Sequence, residues 1–157
     1  MHASYDNLNR ITRRWYNGSS STTATTHNNP ALLSTVGATD EANFYYDSQA
    51  LPTGAPSYTL GASIGRLIAV TYGGATSSAG DYFGYDNAGR SMLKVQQTGG
   101  VNYQMTAGLN VSGGFNTVTY PSGRSVNYAY DSAGRTSSFC QKLGMGTSGG
   151  DLVSLLL

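Results

Sequence analysis

Charge is scarce in this chain: only 11% of its 157 residues are Asp, Glu, Lys or Arg, and 9 Lys+Arg against 8 Asp+Glu leave a formal +1 at pH 7. Lys94 and Lys142 are its only lysines, so there is no basic footprint and phosphate-driven nucleic-acid binding is not expected. Cysteine is rarer still, since Cys140 alone excludes an internal disulfide framework and a cysteine-based zinc site. Two histidines, His2 and His27, leave little for general base chemistry. No apolar run approaches the roughly 18 residues needed to span a bilayer, so membrane insertion is not expected. The opening MHASYDNLNRITRR lacks the apolar stretch of a signal peptide. Large aliphatic side chains are also few: Leu, Ile, Val and Phe make up 28 residues, a level that would suggest disorder if the net charge were large. It is not large.

The deficit is filled by 12 Tyr, 21 Gly, 19 Ser and 17 Thr. Tyr and Thr suit pleated strands while Gly and Ser punctuate them, so the composition points to β-structure with many turns. Self-similarity supports this. Tyr128-Ala129-Tyr130-Asp131-Ser132-Ala133-Gly134-Arg135 and Phe83-Gly84-Tyr85-Asp86-Asn87-Ala88-Gly89-Arg90 agree as aromatic-x-Tyr-Asp-x-Ala-Gly-Arg. Tyr5-Asp6-Asn7-Leu8-Asn9-Arg10 is a third copy, with Asn in the Gly slot, where Asn also tolerates positive φ. Leu109-Asn110-Val111-Ser112-Gly113-Gly114 is a weaker fourth, with Asn for Asp and Gly for Arg. Phe44-Tyr45-Tyr46-Asp47 opens a fifth, whose Gly65-Arg66 arrives only after residues 48–64, read as a loop inserted in one turn. The underlying period is about 20 to 24 residues, with a second irregular loop expected at 17–30.

Each copy makes physical sense as a β-hairpin. Asp at the first position of a type I turn accepts backbone N–H groups, and Gly at the fourth takes the left-handed conformation of a G1 bulge. Tyr120-Pro121-Ser122-Gly123-Arg124 is a related turn with Pro setting φ. Between turns the residues alternate with period two, giving expected strands near 81–85, 90–96, 101–106, 115–120, 124–130 and 135–139. Val126, Tyr128 and Tyr130 fall on one face, opposite Ser125, Asn127 and Ala129. No segment shows a convincing helical period, except in the last few residues.

These units resemble the YD repeats of the RHS/YD-repeat family. The residues that carry the resemblance are Tyr130-Asp131-Ser132-Ala133-Gly134-Arg135, Tyr85-Asp86-Asn87-Ala88-Gly89-Arg90, Tyr5-Asp6-Asn7-Leu8-Asn9-Arg10, Gly65-Arg66-Leu67 and Thr119-Tyr120-Pro121-Ser122-Gly123-Arg124. It covers roughly residues 1–139. The resemblance implies an all-β array of antiparallel hairpins in a curved or spiralling sheet that forms part of a hollow β-shell. In bacterial toxin complexes and polymorphic toxins such shells enclose a toxic polypeptide, and teneurins carry similar ones. It further implies a secreted or cell-surface structural protein, with neighbouring repeats and an enclosed or displayed polypeptide as partners, and on weaker grounds a glycan. No enzymatic activity, cofactor or metal is expected.

The chain departs from the family pattern: it begins inside a repeat, has too few strands to close a shell, and lacks the segment that ends the shell. Beyond Phe139 the alternation stops, and residues 140–157 share nothing with the repeat. The expectation is therefore a fragment of a larger gene whose tail is disordered, out of frame, or part of a different ending. Sequencing the coding DNA for a frame that resumes the repeat checks this.

The repeat motif comprises Tyr5, Asp6, Arg10, Tyr46, Asp47, Gly65, Arg66, Tyr85, Asp86, Gly89, Arg90, Gly123, Arg124, Tyr128, Tyr130, Asp131, Gly134 and Arg135. Its Asp and Arg could be read as acid–base or sugar-binding pairs, but recurrence favours turn roles, an exposed pair contributing at most about 1 kcal/mol. The tyrosines are expected as cross-strand ladders. A carbohydrate-binding surface module is the alternative function, and a glycosidase ranks below it, with only Asp40, Glu41, Asp81 and Asp151 left as unassigned acids. Trp15 beside Arg13 and Arg14 is read as a packed edge aromatic, and Cys140, with no His nearby in sequence, as an inert thiol. The sequons at Asn17 and Asn110 matter only in a eukaryotic secretory pathway. A single Gly149-Gly150-Asp151 is weak as a calcium motif.

Overall fold

A computed structural model describes residues 2–15, 41–73, 79–142 and 153–156. The loop expected at 17–30 and the acids Asp40 and Asp151 lie outside them, as do His27 and Asn17. Eleven strands form a single antiparallel sheet in which every strand pairs with its neighbours in sequence. They are β1 (His2–Tyr5), β2 (Ile11–Trp15), β3 (Glu41–Tyr46), β4 (Leu67–Tyr72), β5 (Ala79–Tyr85), β6 (Ser91–Thr98), β7 (Val101–Leu109), β8 (Phe115–Thr119), β9 (Ser125–Tyr130), β10 (Thr136–Lys142) and β11 (Val153–Leu156). The expected all-β antiparallel hairpin array is what forms, as one open sheet. β10 runs past the point where the alternation stops, and Val153–Leu156 pairs with it, so part of the apolar tail joins the sheet.

A meander of this kind puts alternate turns on opposite edges. The five copies of the repeat connect β1 to β2, β3 to β4, β5 to β6, β7 to β8 and β9 to β10, and so share one edge. The opposite edge carries the two-residue Gly99-Gly100 turn, with φ of 57° and 78°, and the Tyr120–Arg124 turn. Positive φ at both central residues is the requirement of a type I′ hairpin, which glycine meets without strain.

All five hairpins of the repeat carry a register shift at the same place, the second residue after the Arg slot: Thr12, Ile68, Met92, Asn116 and Ser137 are each an extra residue opposite an unbroken partner strand. Such bulges increase local twist and break alternation on the bulged strand. This is why Leu67-Ile68-Ala69-Val70 reads as a continuous apolar run rather than as alternation. Ile68 and Ala69 are both fully buried.

The core lies on one face of β4 to β6. Ala69, Tyr82, Leu93 and Val95 form its buried centre, with Tyr45, Leu51, Ala55 and Tyr58 packed against them. Three of those four come from the 48–64 insertion or its start, so the segment read as a loop is also the cover of the sheet. Tyr58 meets Tyr82 edge-on at 5.8 Å between centroids, and its hydroxyl donates to the Ile68 carbonyl at 2.8 Å. The Tyr85 N–H donates to the Leu60 carbonyl, and Gln97 Nε2 to the Gly54 carbonyl. A Cβ at Gly84 would stand 2.3 Å from the Thr59 carbonyl oxygen, so the insertion approaches the sheet where glycine removes the side chain.

From β7 onward the two faces separate by chemistry. Asn102, Gln104, Thr106, Thr117, Thr119, Ser125 and Asn127 share one face through their cross-strand pairings. Tyr103, Met105, Val118 and Val126 lie on the other. Val118 and Val126 are buried there, while Tyr103 and Met105 are exposed.

Candidate functional site

The recurring Asp builds each turn by itself. In the first copy Asp6 Oδ1 accepts the N–H groups of Leu8 and Arg10, both at 2.9 Å, and Oδ2 accepts Arg10 Nε at 2.7 Å. Asp86 repeats this with Ala88 and Arg90, and Asp131 with Ala133 and Arg135. The backbone closes identically at Asp6–Arg10, Asp86–Arg90, Asn110–Gly114, Tyr120–Arg124 and Asp131–Arg135: the first residue's N–H donates to the fifth's carbonyl, and the fourth's N–H returns to the first's carbonyl. The fourth residue has positive φ in every case, 61° at Asn9, 74° at Gly89, 90° at Gly113, 79° at Gly123 and 77° at Gly134.

The interrupted copy keeps the first of these backbone bonds although residues 48–64 are inserted, and its Gly65 N–H turns to the Asp47 side chain instead of the carbonyl. Asp47 N–H donates to the Arg66 carbonyl at 3.0 Å, and Asp47 Oδ1 accepts the Gly65 N–H at 2.6 Å. Asp47 itself sits at φ 63°.

What sequence reasoning missed is the role of the arginine. In the first three copies it reaches across to the next turn on the edge, and at Arg10 and Arg90 it holds its own Asp as well. Arg10 Nη1 and Nη2 fork onto the two carboxylate oxygens of Asp47 at 3.3 and 3.0 Å. Arg66 Nε donates to the Gly89 carbonyl at 2.8 Å, and Arg90 Nη1 to the Asn110 carbonyl at 2.6 Å. Arginine suits this because its planar fork offers several fixed donors at once. Arg135, in the last copy, bonds only to Asp131 among the described residues and is 81% exposed, against 21% for Arg10.

Tyr46, Tyr85 and Tyr130 also reach back to the preceding copy. Arg10 lies 4.4 Å from the Tyr46 ring centroid and Arg66 lies 5.6 Å from that of Tyr85, within cation–π range. Tyr85 donates to the Leu67 carbonyl at 2.6 Å, and Tyr130 to the matching Phe115 carbonyl at 3.0 Å. These tyrosines therefore tie successive copies together rather than forming the cross-strand ladder expected of them. Tyr128 does meet a cross-strand aromatic, Phe115, at 6.5 Å. Tyr5 is exposed on the first strand, and Arg124 Nη2 donates to Gln141 Oε1.

Electrostatics follows the geometry. The Arg10 N–H and guanidinium hold the Asp6 carboxyl below the ordinary carboxylate value, and Arg90 and Arg135 do the same for Asp86 and Asp131. Asp47 is lowered chiefly by the Arg10 guanidinium and then by the Gly65 N–H. Burial pushes the Tyr46, Tyr58 and Tyr85 hydroxyls up.

The remaining candidates stand apart from this edge. Asp81 bridges Lys94 Nζ and the Tyr72 hydroxyl, both at 3.0 Å, as a cross-strand polar cluster. Glu41 begins β3. Trp15 lies in β2, an interior strand rather than an edge, with Arg13 over its ring at 5.1 Å. Cys140 is a half-buried free thiol in β10. Asn110 serves as the turn's first residue, its Oδ1 accepting the Gly114 N–H at 2.8 Å. Among the described residues no group of three His, Cys, Asp or Glu side chains is placed to hold a metal ion. A scan against protein-family models gives no match, and no curated protein matches the chain.

Proposed function

We propose that this chain is a structural segment of an RHS/YD-type β-shell, belonging to a secreted or cell-surface protein that encloses or displays a toxin or other polypeptide. The observation that carries the reading is the edge on which five turns of the repeat stand side by side, four of them Tyr-Asp and one Leu-Asn, each of the first three arginines bonding into the next turn. Such an edge propagates: the unit that completes one copy's hydrogen bonds is the next copy, as in repeat proteins stabilised by nearest-neighbour interfaces. The Asp and Arg side chains are consumed by this architecture, which supports a scaffold without enzymatic chemistry. The carbohydrate-binding alternative gains less support, because the exposed amides Asn102 and Gln104 and the exposed Tyr103 fall on opposite faces of β7.

Two measurements test the proposal. Sequencing the DNA that flanks this coding region should reveal further Asp-x-x-Gly-Arg units at the same period, and flanks without them would overturn the shell reading. A glycan array should give no reproducible binding, whereas binding abolished by changing Tyr103 and Tyr120 would establish the sugar module instead.

A further inference from the structure

The arginine ladder is broken once, between the fourth and fifth turns, because Gly114 occupies the arginine slot. Everything that receives a guanidinium at the other junctions is nevertheless repeated there. Tyr130 corresponds to Tyr46 and Tyr85, the rings beside Arg10 and Arg66. The Gly134 carbonyl corresponds to that of Gly89, which accepts Arg66 Nε. Asp131 holds the place of Asp47, the carboxylate forked by Arg10, and although its own Arg135 already bonds to it, its negative charge stands beside the cleft. In place of the missing side chain is an open cleft of about 630 Å³, lined by Asn110, Ser112, Gly114, Tyr130, Asp131 and Gly134 among others. That is several times the volume of an arginine side chain.

We propose that this cleft is a binding site for a guanidinium group, that of an arginine carried by another polypeptide. The entering group donates to the Gly134 carbonyl and lies against the Tyr130 ring, with the Asp131 carboxylate supplying opposite charge. Lysine is a poorer fit, since the acceptors are spread over a turn and suit a planar fork rather than a point charge. The proposal does not depend on the shell reading, because it rests on this chain's own junctions as templates.

The test is titration of the full chain with methylguanidinium, followed by amide NMR at constant ionic strength, with methylammonium as the control. Saturable shifts confined to Asn110–Gly114 and Tyr130–Arg135 are expected, with half-saturation on the order of 10 mM, the strength of one charge-assisted bond and one ring contact. Equal shifts with methylammonium, or none, would overturn the proposal. Gly114→Arg should fill the cleft from within and abolish the response. Its Cβ would meet only the tips of Asn110 and Tyr130 at 2.9 Å, and Arg66 already coexists with the equivalent Tyr85. An undiminished response in a folded G114R chain sinks the site. Should that variant not fold, Arg66→Gly decides: it should open a second cleft between the Tyr85 ring and the Gly89 carbonyl, with new shifts at Tyr85 and Gly89, and a folded R66G chain without them refutes the template. The capped Nα-acetylarginine methylamide should bind at least as well as free arginine, and binding by the free amino acid alone would exclude a chain-borne source.

Discussion

At Gly89 two demands coincide that its counterpart in the last turn separates. Its φ of 74° is strained for any residue with a Cβ, and that Cβ would also stand 2.0 Å from the Arg66 guanidinium. Gly134 has the same φ, 77°, but open space around it. Gly134→Ala is therefore expected to cost about 1–2 kcal/mol, the penalty of the left-handed conformation alone. Gly89→Ala should cost measurably more, because the ladder bond to Arg66 is displaced as well; equal midpoints in urea would refute the distinction. Tyr82 poses a packing question instead. It is fully buried beneath Tyr58, so Tyr82→Ala should cost about 3–5 kcal/mol, as cavity formation in a core does.

The 48–64 insertion shows how an element can be optional for closure and essential for the core. Asp47 and Arg66 close their hairpin by the same backbone bond as the uninterrupted copies. Replacing residues 48–64 with Asn-Ala, the pair that fills the β5–β6 turn, should therefore preserve the strand signal in far-UV circular dichroism. It should also uncover Ala69, Tyr82, Leu93 and Val95, lowering Tm and inducing binding of a hydrophobic dye. An unchanged Tm would mean that the cover contributes nothing. One feature of the sequence hinted at this role: Leu51, Ala55, Pro56, Tyr58 and Leu60 are too apolar for a loop that merely detours through solvent.

Across the whole molecule, four turn carboxylates share one titration behaviour. Their folded values lie below the ordinary 3.8, so the stability they contribute is present above that pH and is lost as pH falls through the folded values. Acid titration should thus destabilise the sheet from about pH 4 downward, and Asp47→Asn, which removes the carboxylate shared by two turns, should flatten the acid limb. A limb of unchanged steepness would contradict the linkage. Among the described residues no strand lies outside β1 or β11, and Tyr103 and Met105 are exposed with a net charge too small to repel copies. Size-exclusion chromatography should show self-association, and a compact monomer would count against open edges.

The sequence by itself determined the strands, the turns and the repeat, because these depend on local chemistry: alternation sets which face a side chain takes, and Asp-x-x-Gly satisfies its own turn within five residues. The bulges were half legible, in the broken alternation of Leu67-Ile68-Ala69-Val70. The order of β5 to β10 also followed, since short turns leave each of these strands no partner but its neighbour, whereas the long connections from β2 to β3 and from β3 to β4 left their pairing to the structure. Only the tertiary structure decided what the repeats do to one another. That Arg10 forks onto Asp47, 37 residues away, and that Tyr58 seals Tyr82 from water, are contacts between parts distant in the chain. Their energies come from desolvation and from geometry between turns, and neither is encoded in any single copy.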